Sequence, residues 1–518
     1  MSDNRYNAIV IGAGHNGLAA AATLAAKGKS VCVLERANQI GGMSKSASLG
    51  GATVPEIAHL LYNLSPTVAK ELQLSLDTRA LPTIALAADG NHVHIQGNKA
   101  SYADKRAHPD AQAFADLQAR LKKFAALLGK LADSPPPSLS GGLLAAGNLK
   151  EIGKLAKLGW GLKRLGKKDM REFLRIILSN AYDLILDEMA DGPLAGALAA
   201  DAVRGAYAGP RSPGTVFSLM YRLGNGGDVR LPMGGMGAVI GAFETVARKR
   251  GVDIRTAVQI ERLVVAADHV QGVLLTDGTT IHAETVLSSI GGMQTMRYAG
   301  VQHFDVEAAR RMRNLRNKGT SAKVNLVLSG LPAFTGLTAE QMAGRLLIAP
   351  SALAVERAFN PAKYGEISPE PLIEAVIPSL TDKAAAPDGT HVLSAVVSYV
   401  PYALAGGWTD AARAKLQETV LETLERYAPG IRGLVSHAQV LSPADIEEMT
   451  GAPGGHWHHA EMGVDQILTV RPANLVSRYG FGLGGLYLCG ASAHPGGDVM
   501  GAAGRNAALQ VIADGIPG

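Results

Sequence analysis

The sequence predicts an α/β fold in which an open parallel sheet carries an inserted α+β domain. Three observations lead to this prediction. A short apolar strand near the N-terminus runs into a glycine-rich turn and an alanine-rich helix, and strand-like apolar runs recur at 253–288 and 486–489. Long stretches with helical periodicity separate these runs. Sheet elements so far apart in the chain indicate one domain assembled from several segments, with a second domain inserted between them.

The N-terminal motif is the strongest local signal. Ala8–Ile11 has the length of a buried strand, and Gly12, Gly14 and Gly17 follow it with G-x-G-x-x-G spacing. In a Rossmann-like βα unit these glycines allow a tight turn, close approach of the backbone to a pyrophosphate and close packing of helix on strand. A second apolar strand ends in Glu35, whose carboxylate can bind both ribose hydroxyls. The order of these elements predicts a dinucleotide-binding domain.

The residues after the second strand indicate which dinucleotide is bound. Glu35 disfavours the 2′-phosphate of NADP, although Arg36 beside it argues the other way, and NAD and FAD remain. The following Gly41-Gly42-Met43 completes an E-x-x-x-x-x-G-G pattern. This pattern resembles the extension of the flavoprotein group that contains amine oxidases and phytoene desaturases. In that group the glycine pair lets the backbone approach FAD, so the resemblance implies FAD, bound without a covalent link.

Composition narrows the function classes. The 518 residues are 47% hydrophobic and carry a net charge of +5, and aromatic residues make up only 5%. This charge is too small to predict a nucleic-acid partner, and the aromatic residues are not interleaved with basic ones. The two cysteines, Cys32 and Cys489, lie in strand-like runs and form no C-x-x-C pair, which excludes thiol–disulfide chemistry of the usual flavin-reductase kind.

The expected location follows from the N-terminus and from hydropathy. A strand begins after six polar residues, which leaves no room for a signal peptide, and no apolar run is long enough to span a bilayer. We therefore expect a cytoplasmic protein, with peripheral membrane association as an open alternative.

Changes in sequence character predict how the segments are divided. The predicted FAD-binding domain consists of 1–83, 224–300 and 454–518. The predicted substrate domain consists of 84–223, which is largely helical, and 301–453. Within these segments Glu56 to Leu74 is predicted as a helix, and Ile84 to Gln96 as a hairpin that turns at Asp89-Gly90-Asn91.

Longer motifs extend the resemblance to about half of the chain. They are Leu231–Gly237, Gly454–His459 and the C-terminal run Leu486–Ala502. Together with the N-terminal motif they resemble the phytoene desaturase and carotenoid isomerase type of FAD-dependent oxidoreductase. The resemblance is strongest to the subgroup called pyridine nucleotide-disulfide oxidoreductase domain-containing protein 2. The absence of C-x-x-C contradicts the disulfide chemistry in that name.

The resemblance places a second set of residues at the cofactor. Ile260 corresponds to a residue whose backbone meets the adenine, and Asp498 stands where many relatives carry a third glycine. The C-terminal glycine loop begins a helix whose positive dipole end can stabilise reduced flavin. The residues predicted here are Ile260, Gly490, Asp498, Met500, Gly501 and Ala502.

Histidines are the candidate proton-transfer residues. His459, His494 and His59 lie in or next to the motifs, and for each of them a purely structural role is the alternative. His456, His458 and His459 form a short run, but further ligand groups are lacking nearby, so no metal site is expected.

These features predict hydride transfer from a substrate C–H to flavin N5, in a desaturase, a dehydrogenase or a redox-neutral isomerase acting on an apolar, lipid-phase substrate. Oxygen or a quinone is the expected electron acceptor. Two alternatives stay open: an amine or other small-molecule oxidase, and an FAD-binding interaction protein with little turnover.

The stretch 141–170 has leucines on one side, lysines on the other, and Trp160. It predicts either contact with a membrane surface or ordinary packing on the domain core. The oligomeric state is left open.

Overall fold

A five-stranded parallel sheet forms the centre of the nucleotide-binding half. The computed structural model describes residues 4–136, 149–473, 476 and 478–515, and only some side chains of helix Leu149–Arg164. In spatial order the strands are Asp253–Arg255, Val31–Leu34, Ala8–Ile11, Val286–Ser288 and Leu486–Leu488. All neighbouring pairs run parallel, so the carboxyl ends of the strands meet at one edge. In such sheets this edge is where ligands bind.

The strands of this sheet are apolar because both of their faces are covered. Every residue of Ala8–Ile11 and Val31–Leu34 is buried. A three-stranded antiparallel sheet shares this core and consists of Ile260–Ala266, His269–Leu275 and Thr280–His282. The helices of this half are His15–Ala25, Pro66–Leu72, Gly235–Lys249, Gly292–Ala299, Val306–Arg313 and Ala502–Asp514.

The second half is organised on an eight-stranded mixed sheet. In spatial order its strands are Val435–Leu441, Ser321–Leu328, His391–Ser398, Leu372–Val376, Arg345–Ile348, Thr83–Ala85, Val93–Gln96 and Lys99–Tyr102. Its helices are Ala111–Ala132, Leu149–Arg164, Gly166–Ile176, Ala181–Leu186, Pro193–Ala202, Thr215–Leu223, Ala339–Met342, Ala352–Ala362, Asp410–Glu425, Ile431–Leu434 and Pro443–Thr450. Two short antiparallel pairs complete the fold: Ser46–Leu49 with Ala52–Pro55, and Thr78–Ala80 with Arg230–Pro232.

The predicted α/β class with a parallel sheet is confirmed, and so is the predicted hairpin, since Thr83–Ala85 pairs antiparallel with Val93–Gln96. The first of these strands crosses the predicted boundary between residues 83 and 84. The domain boundaries themselves stay predictions.

The predicted helix from Glu56 to Leu74 is wrong over its first half, because helix begins only at Pro66. Ser65 caps it by accepting the Val68 N–H, and Pro66 occupies the first turn, where its missing N–H costs nothing. Upstream, Leu61 instead exchanges backbone hydrogen bonds with Arg230. The segment that carries His59 is therefore irregular.

The predicted membrane-contact stretch 141–170 is covered only in part. Residues 141–148 and the side chains of Lys150, Lys154 and Lys157 lie outside the described residues. Among the residues that are described, no helix combines the length and apolar character needed to cross a bilayer.

Candidate cofactor and active site

A cavity of about 610 Å³ begins at the carboxyl edge of the parallel sheet and reaches the eight-stranded sheet. Both halves of the protein line it. The predicted site residues found in its wall are Gly12, Gly14, Gly17, Glu35, Arg36, Gly41, Gly42, Met43, His59, Ile260, His459 and Asp498.

The glycine turn has the geometry of an anion cradle. Gly12 has φ +91°, and a Cβ on Gly17 would lie 2.0 Å from the Gly12 carbonyl oxygen, so both positions require glycine. A Cβ on Gly14 would meet no atom within 4 Å, because this residue faces the cavity. The helix that follows has no side-chain cap, so its first N–H groups are available to a phosphate.

Glu35 is fixed at the end of its strand by backbone donors. The N–H groups of Ala13 and Ala37 donate to its two carboxylate oxygens at 2.8 and 2.9 Å. Each oxygen keeps a lone pair for a ribose hydroxyl. Arg36 points elsewhere: its guanidinium donates to the carbonyls of Glu448 and Met449 at 3.2 and 3.3 Å, across the mouth of the cavity.

The glycine pair Gly41-Gly42 lies against the glycine turn. The Gly41 N–H donates to the Ala13 carbonyl at 3.0 Å, and a Cβ on Gly42 would lie 3.7 Å from the Gly14 Cα. Met43 continues this wall. Ile260 also lines the cavity. The edge of the parallel sheet, the two glycine motifs and the antiparallel sheet therefore all contribute to its wall.

Three histidines border this space with unpartnered ring nitrogens: His458, and the pair His15 and His459. In the pair, the shielded atoms are Nε2 of His15 and Nδ1 of His459, which find no hydrogen-bond partner among the described residues. Burial lowers the pKa of both rings to about 4, so they are neutral at pH 7. Sequence reasoning missed His15, although its place as the first residue of the helix after the glycine turn was a usable signal.

The far wall of the cavity is a carboxylate held by buried donors. Glu374 accepts from the Tyr62 hydroxyl at 2.7 Å and from Arg345 Nε at 2.7 Å, and His59 Nε2 lies 3.0 Å away. The Nδ1 of His59 faces the Ser394 carbonyl. Burial alone would raise the pKa of Glu374, but Arg345 and His59 outweigh it and hold the pKa well below its usual value.

The charge pairs continue behind this wall. Arg345 also donates to Asp201 at 2.7 Å, and Asp201 pairs with Arg222. The Arg204 guanidinium lies 3.9 Å from the centre of the Tyr62 ring. These buried ions compensate one another, as charges away from water must.

A buried lysine lies on the strand beside this wall. Lys323 is 1% exposed, and its amine has no hydrogen-bond partner among the described residues. Burial lowers its pKa well below the usual value, so the amine is neutral despite the nearby Glu374. Sequence reasoning missed it.

Five predicted residues are not among those that line the cavity: His494, Gly490, Met500, Gly501 and Ala502. The His494 ring faces the Leu131 carbonyl at 3.0 Å. The Met500 carbonyl accepts from Ser65, and a Cβ on Gly501 would lie 2.9 Å from Val68. Asp498 and Val499, just before this helix, reach the cavity instead.

The histidine run does not assemble a metal site. His456 Nδ1 accepts the backbone N–H of His458 at 3.1 Å. In the described part of the chain no group of three His, Cys, Asp or Glu side chains is placed to hold a metal ion.

The glycine cradle, the Glu35 carboxylate and the unpartnered histidine nitrogens fit a flavin dinucleotide. A family model for flavin containing amine oxidoreductases matches residues 17–512. The chain belongs to this family. Its cofactor is FAD, and it is an FAD-dependent oxidoreductase by family.

Relatives agree with this assignment. Pyridine nucleotide-disulfide oxidoreductase domain-containing protein 2 of Rattus norvegicus is 32% identical over 98% of this chain and 94% of its own length. A neurosporene-forming phytoene desaturase of Cereibacter sphaeroides is 24% identical over 98% of this chain and 95% of its own. The resemblance predicted from the motifs is confirmed.

Among solved structures, an oxidoreductase from Methanosarcina mazei shares the fold. Its TM-score is 0.60 and its sequence identity 19%, and the match covers 98% of this chain and 99% of that one. At this identity the likeness concerns the fold alone.

Proposed function

We propose that the protein removes a hydride from a C–H bond of an apolar substrate and transfers it to N5 of non-covalently bound FAD. The observation that supports this is that one continuous cavity runs from the glycine turn to the wall of His59, Tyr62 and Glu374. A flavin bound at the turn would have its substrate against that wall. The protein's contribution is then to orient the reacting bond and exclude water.

The chemistry of the wall favours an apolar substrate. The Tyr62 hydroxyl and the His59 ring both engage Glu374, and Arg345 supplies further donors to the same carboxylate. Polar groups that satisfy one another leave few hydrogen bonds to offer a ligand. A substrate held by contact and shape suits this wall better than one that must be hydrogen-bonded.

An amine oxidase is the second candidate, since the carboxylate of Glu374 and the neutral amine of Lys323 lie close to the substrate end. The two candidates differ in what reduces the flavin. Under anaerobic conditions, lipid extracts should bleach the flavin absorbance of the purified protein, whereas polyamines should not. Bleaching by polyamines alone would favour the second candidate. No bleaching by either would favour an FAD-binding interaction protein.

The state of the flavin and its oxidant are tested on the same preparation. Acid precipitation should release all of the yellow colour, because neither of the two free cysteines, Cys32 and Cys489, lines the cavity. Colour that stays with the precipitate would contradict non-covalent binding. Reoxidation of the reduced protein by air and by a soluble quinone, each followed by absorbance, identifies the acceptor.

We further propose that part of 141–170 touches a membrane surface. The exposed apolar residues in this stretch and directly after it support the proposal. Trp160, Leu174 and Leu178 are each about 60% exposed, next to the basic Lys163 and Arg164. Exposed apolar groups among basic ones are typical of interfacial helices. Wild type should pellet with anionic vesicles at low salt, and a variant with the three apolar residues changed to serine should not. Wild type remaining in the supernatant would contradict this proposal.

A further inference from the structure

A small chamber of about 20 Å³ adjoins the cavity. Arg204, His458 and Asp498 line both spaces and form the partition between them. The chamber is large enough for one water molecule. Its other walls include Asp201, Tyr221 and Arg222, so a water there has several polar neighbours.

His458 is held firmly in this partition. Its backbone N–H donates to His456 Nδ1 at 3.1 Å, and its carbonyl accepts from Arg471 at 3.0 Å. The ring is 6% exposed, and its Nε2 has no hydrogen-bond partner among the described residues. That nitrogen lies 3.7 Å from Oδ1 of Asp498. An imidazole with an open nitrogen thus sits next to a carboxylate, at the edge of the site.

The charges around the ring set its resting state. Asp498 pairs with Arg204 and accepts from Asn63 at 3.2 Å, so its charge is already compensated. The remaining titratable groups facing His458 are His456, His459 and Arg471, and each of them disfavours a further positive charge. Burial and the two arginines lower the pKa of His458, and the nearby carboxylate only partly offsets this. The ring is therefore neutral and able to accept a proton.

We propose that His458 is a catalytic residue that accepts the proton released when the substrate is oxidised, with Asp498 stabilising the imidazolium that forms. This inference rests on the proposed function and supplies its missing base. One substrate carbon would give a hydride to bound FAD and the neighbouring carbon a proton to the His458 imidazole, which leaves a double bond between the two carbons. The oxygen or quinone would then take up the two electrons together with the protons, so that His458 returns to its neutral form.

The proposal has a consequence that needs no substrate. Reduction of the flavin adds negative charge to the cavity that His458 lines, and a nearby negative charge favours the imidazolium. Reduction by dithionite should therefore draw a proton to His458 in addition to the one taken up by the flavin. For a two-electron couple each coupled proton changes the midpoint potential by about 30 mV per pH unit.

The test is the midpoint potential of the FAD-loaded full-length protein between about pH 5 and 9. Wild type should show about 60 mV per pH unit over part of this range, and His458→Gln should show about 30 mV there. His494→Gln is the matched control, because it removes a buried imidazole that lines neither space; it should keep the wild-type slope. Asp498→Asn should also lose the second proton, and asparagine tolerates the φ of +49° found there.

Three results would overturn the proposal: a wild-type slope of about 30 mV throughout, a wild-type slope retained in His458→Gln, or a slope lost equally in His494→Gln. If His458→Gln does not hold FAD, the wild-type slope and the Asp498→Asn slope decide. A chain that never takes up FAD, or is never reduced by any substrate class, contradicts the proposed function instead, so the two failures are distinguishable.

Discussion

The two ends of the cavity recognise their ligands by different means. At the sheet edge the wall is mainly backbone: glycines, free helix N–H groups and one carboxylate positioned by two backbone donors. At the far end the wall is made of side chains, and buried ions from separate strands and helices neutralise one another. A backbone cradle tolerates no added side chain toward the ligand. A charge network tolerates no lost partner. The two ends should therefore fail in different ways when they are mutated.

The largest effect is expected at the backbone end. Gly14→Val should abolish FAD binding while the protein still folds, because the new side chain points into the cavity and meets no protein atom within 4 Å at its Cβ. Flavin absorbance after gel filtration and thermal unfolding measure the two properties separately. Gly17→Val is the contrasting variant and should fail to fold, since its Cβ would lie 2.0 Å from a backbone oxygen. If Gly14→Val retained FAD, the backbone end of the cavity would not bind the cofactor as described, and the contrast between the two ends would be lost.

The charge network should respond in stability rather than in FAD binding. Glu374→Gln leaves Arg345 buried without its nearest anion and should lower the free energy of unfolding by about 3–5 kcal/mol. Urea unfolding measures this. The control is Glu418→Gln, which breaks a surface pair with Arg432 and should leave the free energy of unfolding nearly unchanged. Equal effects of the two substitutions would contradict the compensating role of the network.

A smaller loss is expected for the one carboxylate at the backbone end. Glu35→Ala removes the acceptor of the ribose hydroxyls and should weaken FAD binding by about 1–3 kcal/mol, with stability changed less than in Glu374→Gln. Titration of the apoprotein with FAD, followed by fluorescence quenching, gives the affinity. Unchanged affinity would remove Glu35 from the binding site.

The buried histidines near the side-chain end predict how stability depends on pH. Burial lowers the pKa of His456, His458 and His494, for His494 to about 4, below the ordinary value of 6.5. The unfolded chain therefore binds more protons than the folded one, and stability falls as pH drops from about 6.5 toward 4. For His494 the loss of stability is about 1.4 kcal/mol per pH unit within that window, and His456 and His458 contribute in the same direction.

Urea unfolding at several pH values tests this dependence. His494→Gln should make the free energy of unfolding less dependent on pH, by the contribution of one titrating group. It changes no residue that lines the cavity. A flat stability between pH 7 and 5 would show that these rings are protonated in the folded protein.

The backbone end could be predicted from sequence because its residues are close together in the chain. Gly12 to Gly42 span one βαβ unit, and the spacing of the glycines itself states the geometry. The side-chain end could not, since Tyr62 and Glu374 are 312 residues apart and meet only through the tertiary fold. A weaker signal was present: Glu374 interrupts an otherwise apolar strand, which a buried ion explains.

The error over the predicted helix Glu56–Leu74 has the same origin. Apolar spacing alone did not reveal that Leu61 would bond to Arg230, far along the chain. Tertiary hydrogen bonds replaced local ones, and as a result His59 and Tyr62 could turn toward Glu374.

Arg471 has a consequence for how the site can move. Its fully buried guanidinium donates to six backbone carbonyls, which belong to His458, Ala460, Glu461, Gln466, Ala491 and Ala493. No carboxylate is near enough to pair with it in the described part of the chain. The guanidinium is therefore a cation enclosed by a shell of oxygens, as a bound calcium ion would be. The loop that carries His458 and the C-terminal glycine loop both contribute carbonyls to this shell, so we expect that neither loop shifts without the other.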